Sequence, residues 1–538
     1  VSALSPQVSA RSLPRLVGIL TIQAQEKQSA KPANKPAKLP SADKIVDAYL
    51  KALGGKKRVA AIRDASFDWT IQSEDGRAGT ARTQLRAPSS CHSEITLGDR
   101  RELAGANSGS AWTRDADGKL RTLTGDEAKS AKLQALLQAS QLVDYKKLNV
   151  LARTLSLGNP ESGPAYVVEF SMRSGVRLRY WFSQSTKLLV KIEDDARQIT
   201  TNFSEYRAPA AMPNLRQPHV VNMSKPGVSA VTFLLKSSSY NQGLVVSAFD
   251  PPAAAEKVDV VKLLREVSSN QDELEKRFDE YSFVQKETDR EINSKGELKK
   301  ETVKVFEVFP IANRAAVMKL MSENGVALSG ERLAKESKRV EEEFEKAERD
   351  KDKDQQRAEK YRAERERKRA RRAREDGNGD EDVTISQFLK VHEFVSPRIE
   401  RFRDRDAVVF DFRVKPGFKP SSREESLISK LVGVAWIDPA DKQVMRLEAK
   451  LAEGFKMAGG LLVNLRPGAA FMMEQTRMVE GVWLPRLAQV NLSVKVLLFR
   501  GGDFNKTIEW SDYKHFGGDV KDFKIDTPKT TNDSSLKP

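Results

Sequence analysis

The 538-residue chain contains one cysteine, Cys91, so no intramolecular disulfide and no cysteine-rich metal site can form. Export is not excluded by that count. Its four histidines, His92, His219, His392 and His515, lie far apart with no ligand spacing, which argues against zinc. No G-x-S-x-G, P-loop or dinucleotide fingerprint occurs. Asp411, Asp438 and Glu448 are candidates for converging carboxylates, but acids on strands are more commonly just exposed. The chain reads as non-enzymatic and without a cofactor. No run of about 18 apolar residues is present, so no helix is expected to span a bilayer.

Positive charge is plentiful. A formal net charge of +16 points to an acidic partner: nucleic acid, an anionic membrane surface or a lipid headgroup. With 39% hydrophobic residues, the length suffices for two ordinary cores.

Two stretches echo one another. Tyr180-Trp181-Phe182-Ser183-Gln184-Ser185-Thr186-Lys187-Leu188-Leu189-Val190-Lys191-Ile192-Glu193 aligns without a gap on Ala435-Trp436-Ile437-Asp438-Pro439-Ala440-Asp441-Lys442-Gln443-Val444-Met445-Arg446-Leu447-Glu448. Both read as a β-hairpin, with Val190 and Ile192, or Met445 and Leu447, on one face. Upstream, Tyr166–Phe170 parallels Ala407–Phe412; downstream, Phe203–Arg207 parallels Trp510–Lys514. Two related domains in tandem follow from this repetition.

The chain order supports that division. Arg11 and Arg15 precede an apolar Leu16–Ile22, and Ile22-Gln23-Ala24 offers a cleavage site, so residues 1–40 resemble a signal peptide and a flexible linker. Domain 1, 41–252, opens with a helix capped by Ser41 and closed by Gly54-Gly55. A hairpin around Phe67–Ile71 and Asp75-Gly76 follows, then short strands near Trp112, a helix from about Asp126 to Leu142, the echoed hairpin, and alternating runs at Val231–Ser237 and Leu244–Phe249.

Domain 2, 257–520, repeats helix, hairpin, proline: Asp259 caps a helix presenting Val261, Leu264 and Val267, and Asn270 with Glu273 forms a capping box for its continuation. Strands resume at Phe388, Val408, Val434 and Val444, then Phe471–Met478, Trp483–Pro485 and Asn491–Phe499. A charged helical insertion, 331–376, interrupts it with 18 Lys or Arg against 15 Asp or Glu and many i,i+4 pairs. Beyond Phe344 it has hardly any apolar face, so it is expected to project into solvent rather than pack as core. Residues 527–538 read as a disordered tail.

The order of Leu53-Gly54-Gly55, the early hairpin, Gly109-Ser110-Ala111-Trp112, the Trp181 hairpin, Tyr206, Met212-Pro213 and Ala248-Phe249-Asp250-Pro251 resembles the LolA-like family of bacterial periplasmic lipoprotein carriers. The resemblance implies an α+β architecture of two tandem curved antiparallel sheets, incomplete β-barrels each plugged by helices. It also implies an apolar cavity for lipid or lipoprotein acyl chains in the periplasm. Candidate lining residues are Met445, Leu447, Phe471, Met473, Leu492 and Val494, with Val190 and Ile192 in the first hairpin; taken singly, apolar residues on a strand face are more commonly plain core. Doubling, basicity and the charged helix set this chain apart from a single-domain shuttle.

A rival reading makes the chain a nucleic-acid-binding or scaffold protein acting through the charged helix. Arg365, Arg367, Lys368, Arg369, Arg371, Arg372 and Arg374 form a basic contact patch suited to phosphates, though without interleaved aromatics. The same patch suits anionic headgroups. An EF-hand-like run from Asp376 through Asn378 and Asp380 lacks the Gly and Glu that calcium loops need.

Overall fold

The computed structural model describes residues 39–515, apart from 174, 254–257, 279, 294–296, 312–313, 373–384, 458–462, 466, 479–480 and 497–498. The signal-like segment, the EF-hand-like run and the tail lie outside these residues. The chain divides into Val1–Leu39 and Pro40–Pro538, and the second unit carries the architecture.

It begins with α1 (Ala42–Leu53), α2 (Lys56–Ala60), β1 (Asp64–Ser73), β2 (Ala78–Arg86), β3 (Ser90–Leu97), β4 (Arg100–Ala106), β5 (Ala111–Arg114) and β6 (Leu120–Thr122). After α3 (Gly125–Ala139) come β7 (Leu151–Gly158), β8 (Ala165–Ser171), β9 (Arg177–Ser183), β10 (Leu189–Asp194), β11 (Ile199–Arg207), β12 (Gln217–Lys225) and β13 (Val228–Tyr240). The second half runs through α4 (Val260–Phe278), β14 (Tyr281–Ile292), β15 (Leu298–Ile311), β16 (Arg314–Glu323), β17 (Val326–Ala327), α5 (Gly330–Arg372) and α6 (Ile385–Val391). It ends with β18 (His392–Phe402), β19 (Arg405–Val414), α7 (Arg423–Ile428), β20 (Leu431–Asp438), β21 (Gln443–Leu451), β22 (Phe455–Met457), β23 (Val463–Leu465), β24 (Ala470–Arg477), β25 (Trp483–Val496) and β26 (Phe499–His515).

Two large antiparallel sheets result. The first has the order β6-β5-β4-β3-β2-β1-β13-β12-β11-β10-β9-β8-β7; the second has β17-β16-β15-β14-β26-β25-β24-β21-β20-β19-β18, with β22 and β23 attached through β25. Neither closes into a barrel. In both, the opening strand pairs with the closing one, β1 with β13 and β14 with β26. A helical connection then links the two ends of each sheet, α3 in the first and α5 with α6 in the second. The charged helix is therefore an elongated version of a connection that the first sheet also has.

The echoed hairpins β9–β10 and β20–β21 occupy the same place in the two orders, next to β8 and β19. Lys187 and Lys442 are both left-handed, with φ of 64° and 53°, and each backbone N–H returns 3.0 Å to the carbonyl of residue 183 or 438. Both hairpins then skip one residue of register, Val190 in the first and Met445 in the second. This bulge corrects the expected alternation. Ile192 packs under α1, whereas Val190 is left in the bulge; Leu447 packs toward α4, whereas Met445 joins Trp436 and Trp483 on the opposite face. Cations lie over both tryptophans, Lys191 at 4.9 Å from the Trp181 ring and Arg446 at 5.7 Å from the Trp436 ring. Each is paired with the glutamate two residues on, Glu193 or Glu448.

The downstream echo does not extend this equivalence. Phe203–Arg207 lies on β11 and Trp510–Lys514 on the closing strand β26. What they share is local: Glu205 and Asp512 have φ of 50° and 53°, and the following tyrosines donate to the carbonyls of Leu189 and Pro485.

Helices cover one face of each sheet. The Ser41 hydroxyl accepts from Lys44 N–H at the start of α1, and Ile45, Val46, Leu50 and Leu53 pack onto Phe170, Tyr180, Phe182 and Ile192. Asp259 caps α4 by accepting from Lys262 N–H at 2.9 Å. Among the described residues its buried ones are Val260, Leu263, Leu264 and Val267, so Leu264 and Val267 face the core as expected while Val261 is exposed. α4 runs unbroken, and the Asn270 amide donates to the Asp441 carbonyl instead of capping.

Three further expectations change. Val246–Phe249 is a short 3-10 turn rather than a strand, with Phe249 fully buried and its carbonyl held by the Asn107 amide at 3.2 Å. Phe388 lies on α6, its ring tilted against that of His392 with centroids 4.3 Å apart. The start of α5 does pack: Val340, Phe344 and Ala347 are buried, the first two in a cluster with Phe309 and Val317.

A buried polar seam joins the two halves. Arg398, 1% exposed, donates to Glu400, Asp411 and the Thr122 hydroxyl. Thr122 donates its N–H and hydroxyl to Glu400, and the Ser110 hydroxyl donates to Asp411 at 2.5 Å. On α3, Lys129 reaches Gln489 and Lys132 reaches Glu448. Thus α3 contacts β2 and β3 of the first sheet and also the second sheet's face opposite α4.

Candidate functional site

In the first sheet the helical cover ends part-way across. Alternation along β1 puts Ala65, Phe67, Trp69 and Ile71 on the helix-covered face, and Ala65 belongs to the core beneath α1. Phe67 touches that core and also a second apolar cluster farther along. The second cluster contains Trp69, Ile71, Ala81 and Phe233, fringed by half-buried Ile95, Leu97, Val221, Met223, Val231 and Leu235. All of these residues are on β1, β2, β3, β12 and β13, so strands alone form this trough among the described residues.

Cross-strand register builds it. Trp69 lies between Ala81 and Leu235, and Ile71 between Gly79 and Phe233. Lys236 is skipped beside Trp69, a bulge that tightens the local twist. Gly79 has no room for a side chain, since a Cβ there would sit 1.9 Å from the Thr96 carbonyl oxygen. The Trp69 and Phe233 rings meet edge-on at 6.2 Å, and Phe67 lies 6.1 Å from Trp69.

One polar group interrupts this apolar floor. Trp69 Nε1 is buried and has no hydrogen-bond partner, at a cost of about 1–3 kcal/mol for a lost donor. The chemistry is that of an apolar surface on the sheet face with one buried, unpartnered donor.

The second sheet differs at its central strands. There Glu287 and Lys506 form a 2.6 Å ion pair, and the Trp510 indole donates to Gln285 at 2.9 Å. Charge in place of apolar surface makes that region a poor seat for a hydrocarbon chain.

The residues singled out from sequence are dispersed. Ile192 is core and Val190 a bulge residue, both away from the trough; Met445 is buried on the face opposite Leu447. Leu447 and Met473 are register partners on the helix side of the second sheet, with Phe471 nearby and 37% exposed. Leu492, Val494 and the basic patch Arg365, Arg367, Lys368, Arg369, Arg371, Arg372 and Arg374 lie outside the residues whose side chains are described. Asp411, Asp438 and Glu448 are buried or half-buried rather than exposed, and each is bound to its own cation, Arg398, Arg405 or Arg446. Sequence reading placed Phe67–Ile71 in a hairpin but missed the trough. The apolar alternation of Trp69 and Ile71 with Val231, Phe233 and Leu235 was its signal.

Among the described residues, no cluster of three or more His, Cys, Asp or Glu could hold a metal, and no helix is long and apolar enough to cross a membrane.

No family model and no curated protein matches the chain. Solved structures do. A LolA superfamily protein from Nitrosomonas europaea is 12% identical with a TM-score of 0.27, covering 39% of this chain and 98% of its own. A DUF1329 family protein from Desulfovibrio piger is 14% identical with a TM-score of 0.26, covering 39% and 96%. MucB in the Pseudomonas aeruginosa MucA/MucB complex is 7% identical with a TM-score of 0.18, covering 87% and 94%.

Proposed function

We propose that this protein is a tandem, non-enzymatic carrier of the bacterial cell envelope that binds a lipid or lipoprotein acyl chain in the trough of its first sheet. The trough carries the reading: half-buried apolar residues from five strands surround a buried indole N–H that lacks a partner. Each methylene buried there contributes about 0.8 kcal/mol, and an ester or amide carbonyl on the ligand satisfies Trp69. The signal-like Arg11–Ala24 segment supports residence in the periplasm.

The test is titration of the purified chain with a fluorescent fatty acid, with mass spectrometry of organic extracts from the same preparation. Met223→Glu is expected to abolish binding, Phe471→Glu on the second sheet to leave it intact, and Trp69→Phe to weaken it about tenfold, one hydrogen bond's worth. No co-purified lipid and no titratable binding, or loss through Phe471→Glu alone, would overturn the proposal.

A further inference from the structure

A positive cluster on the second sheet is independent of the trough. The Glu474 carboxylate, 3% exposed, accepts from three guanidiniums: Arg403, Arg446 and Arg486. They come from the β18–β19 turn, β21 and β25. Arg446 is itself buried and shares its remaining donors with Glu448, which Lys132 of α3 also approaches. Arg403 and Arg486 are different: their side chains are 37% and 47% exposed. Each spends one nitrogen on Glu474, and Arg403 lies 5.8 Å over the Phe402 ring. Asp404 is the other acid acting on Arg403. Four cations thus face three acids, with two guanidinium forks turned partly outward.

We propose that Arg403 and Arg486, held in place by the Glu474 carboxylate, form a binding site for a phosphate group. A planar guanidinium matches two phosphate oxygens at once, and two such forks give a phosphate oriented, charge-assisted donors. Glu474 keeps the forks together when the site is empty, and Phe402 stiffens one of them. Burial and the neighbouring Arg486 and Arg446 push the Arg403 guanidinium below its ordinary value, a repulsion that a bound dianion relieves. Phosphate on a lipid headgroup and free phosphate present the same chemistry. The site accounts for part of the basic balance that the charged helix leaves unexplained.

Calorimetry with inorganic phosphate, against chloride at equal ionic strength, measures the site directly on the full chain. Arg403→Gln and Arg486→Gln are expected to weaken phosphate binding at least tenfold with unchanged circular dichroism, and Arg486→Lys to restore part of it. Met223→Glu in the trough leaves phosphate binding untouched, which separates this site's failure from the carrier's. Co-sedimentation with phosphatidic acid vesicles, but not phosphatidylcholine vesicles, and its loss in the same variants assigns the phosphate to a headgroup. Phosphate binding without vesicle binding assigns it to the free ion. No binding above chloride, or equal binding in both Gln variants, overturns the site.

Discussion

Lys450 shows how much a single residue at the seam can cost. Burial and the nearby Lys132 ammonium push its amine down to about 7, against the pull of Glu448. The unfolded chain holds that proton up to about 10.4, so stability falls as pH drops from there to about 7 and stays lowered below. Lys450→Met is therefore expected to raise the melting temperature at pH 6, by the equivalent of about 1–3 kcal/mol after discounting for partial exposure, and to change little at pH 10.5. Glu425 works the other way. The Lys390 ammonium and Ser421 hold its carboxyl down to about 2, so its contribution is present above the ordinary carboxylate range and is lost as pH falls toward 2. Glu425→Gln should remove stability at pH 7 and none near pH 2, read by thermal melts. The Trp, cation and Glu of both hairpins could be read at this scale, because they recur at one spacing. The bulges at Val190 and Met445 could not, because nothing in the side-chain pattern marks a skipped register position.

At the scale of elements, caps and periodicity were the legible part. Ser41, Gly54 and Asp259 mark helix ends through their own hydrogen bonds, so short stretches suffice to find them. Docking was harder to see. Val340, Phe344 and Ala347 stand at i, i+4 and i+7 on α5, yet among so many charges the stripe reads as incidental. It packs on β15 and β16, and Glu336 accepts from Leu320 N–H at 2.7 Å. Phe344→Ala is expected to lower stability by about 3 kcal/mol and to open residues 330–347 to limited proteolysis. Glu342→Gln, on the exposed side, should shift the melt by less than about 0.5 kcal/mol. The trough escaped for a related reason: its residues come from strands far apart in sequence, and only the β1–β13 pairing brings them together.

For the whole molecule, the seam decides whether the halves unfold as one. Arg398→Ala leaves Glu400 and Asp411 buried without their cation, a loss of about 3–5 kcal/mol. Urea unfolding followed by tryptophan fluorescence is expected to change from one transition to two. A single unchanged transition would show that the seam does not couple them. The presence of two antiparallel sheets was legible from one repeated hairpin, whereas the seam was not, since Ser110, Thr122 and Arg398 are ordinary residues until the sheets meet. The pairing of first strand with last has a further effect during synthesis. Phe67 waits for Ser238, and Gln285 for Trp510, so neither sheet can be completed until its final strand has left the ribosome. Such long-range closure is slow to form. A nascent chain paused before residue 228 carries β1 without its β13 partner, so the first sheet keeps a bare edge in its middle until that strand is made.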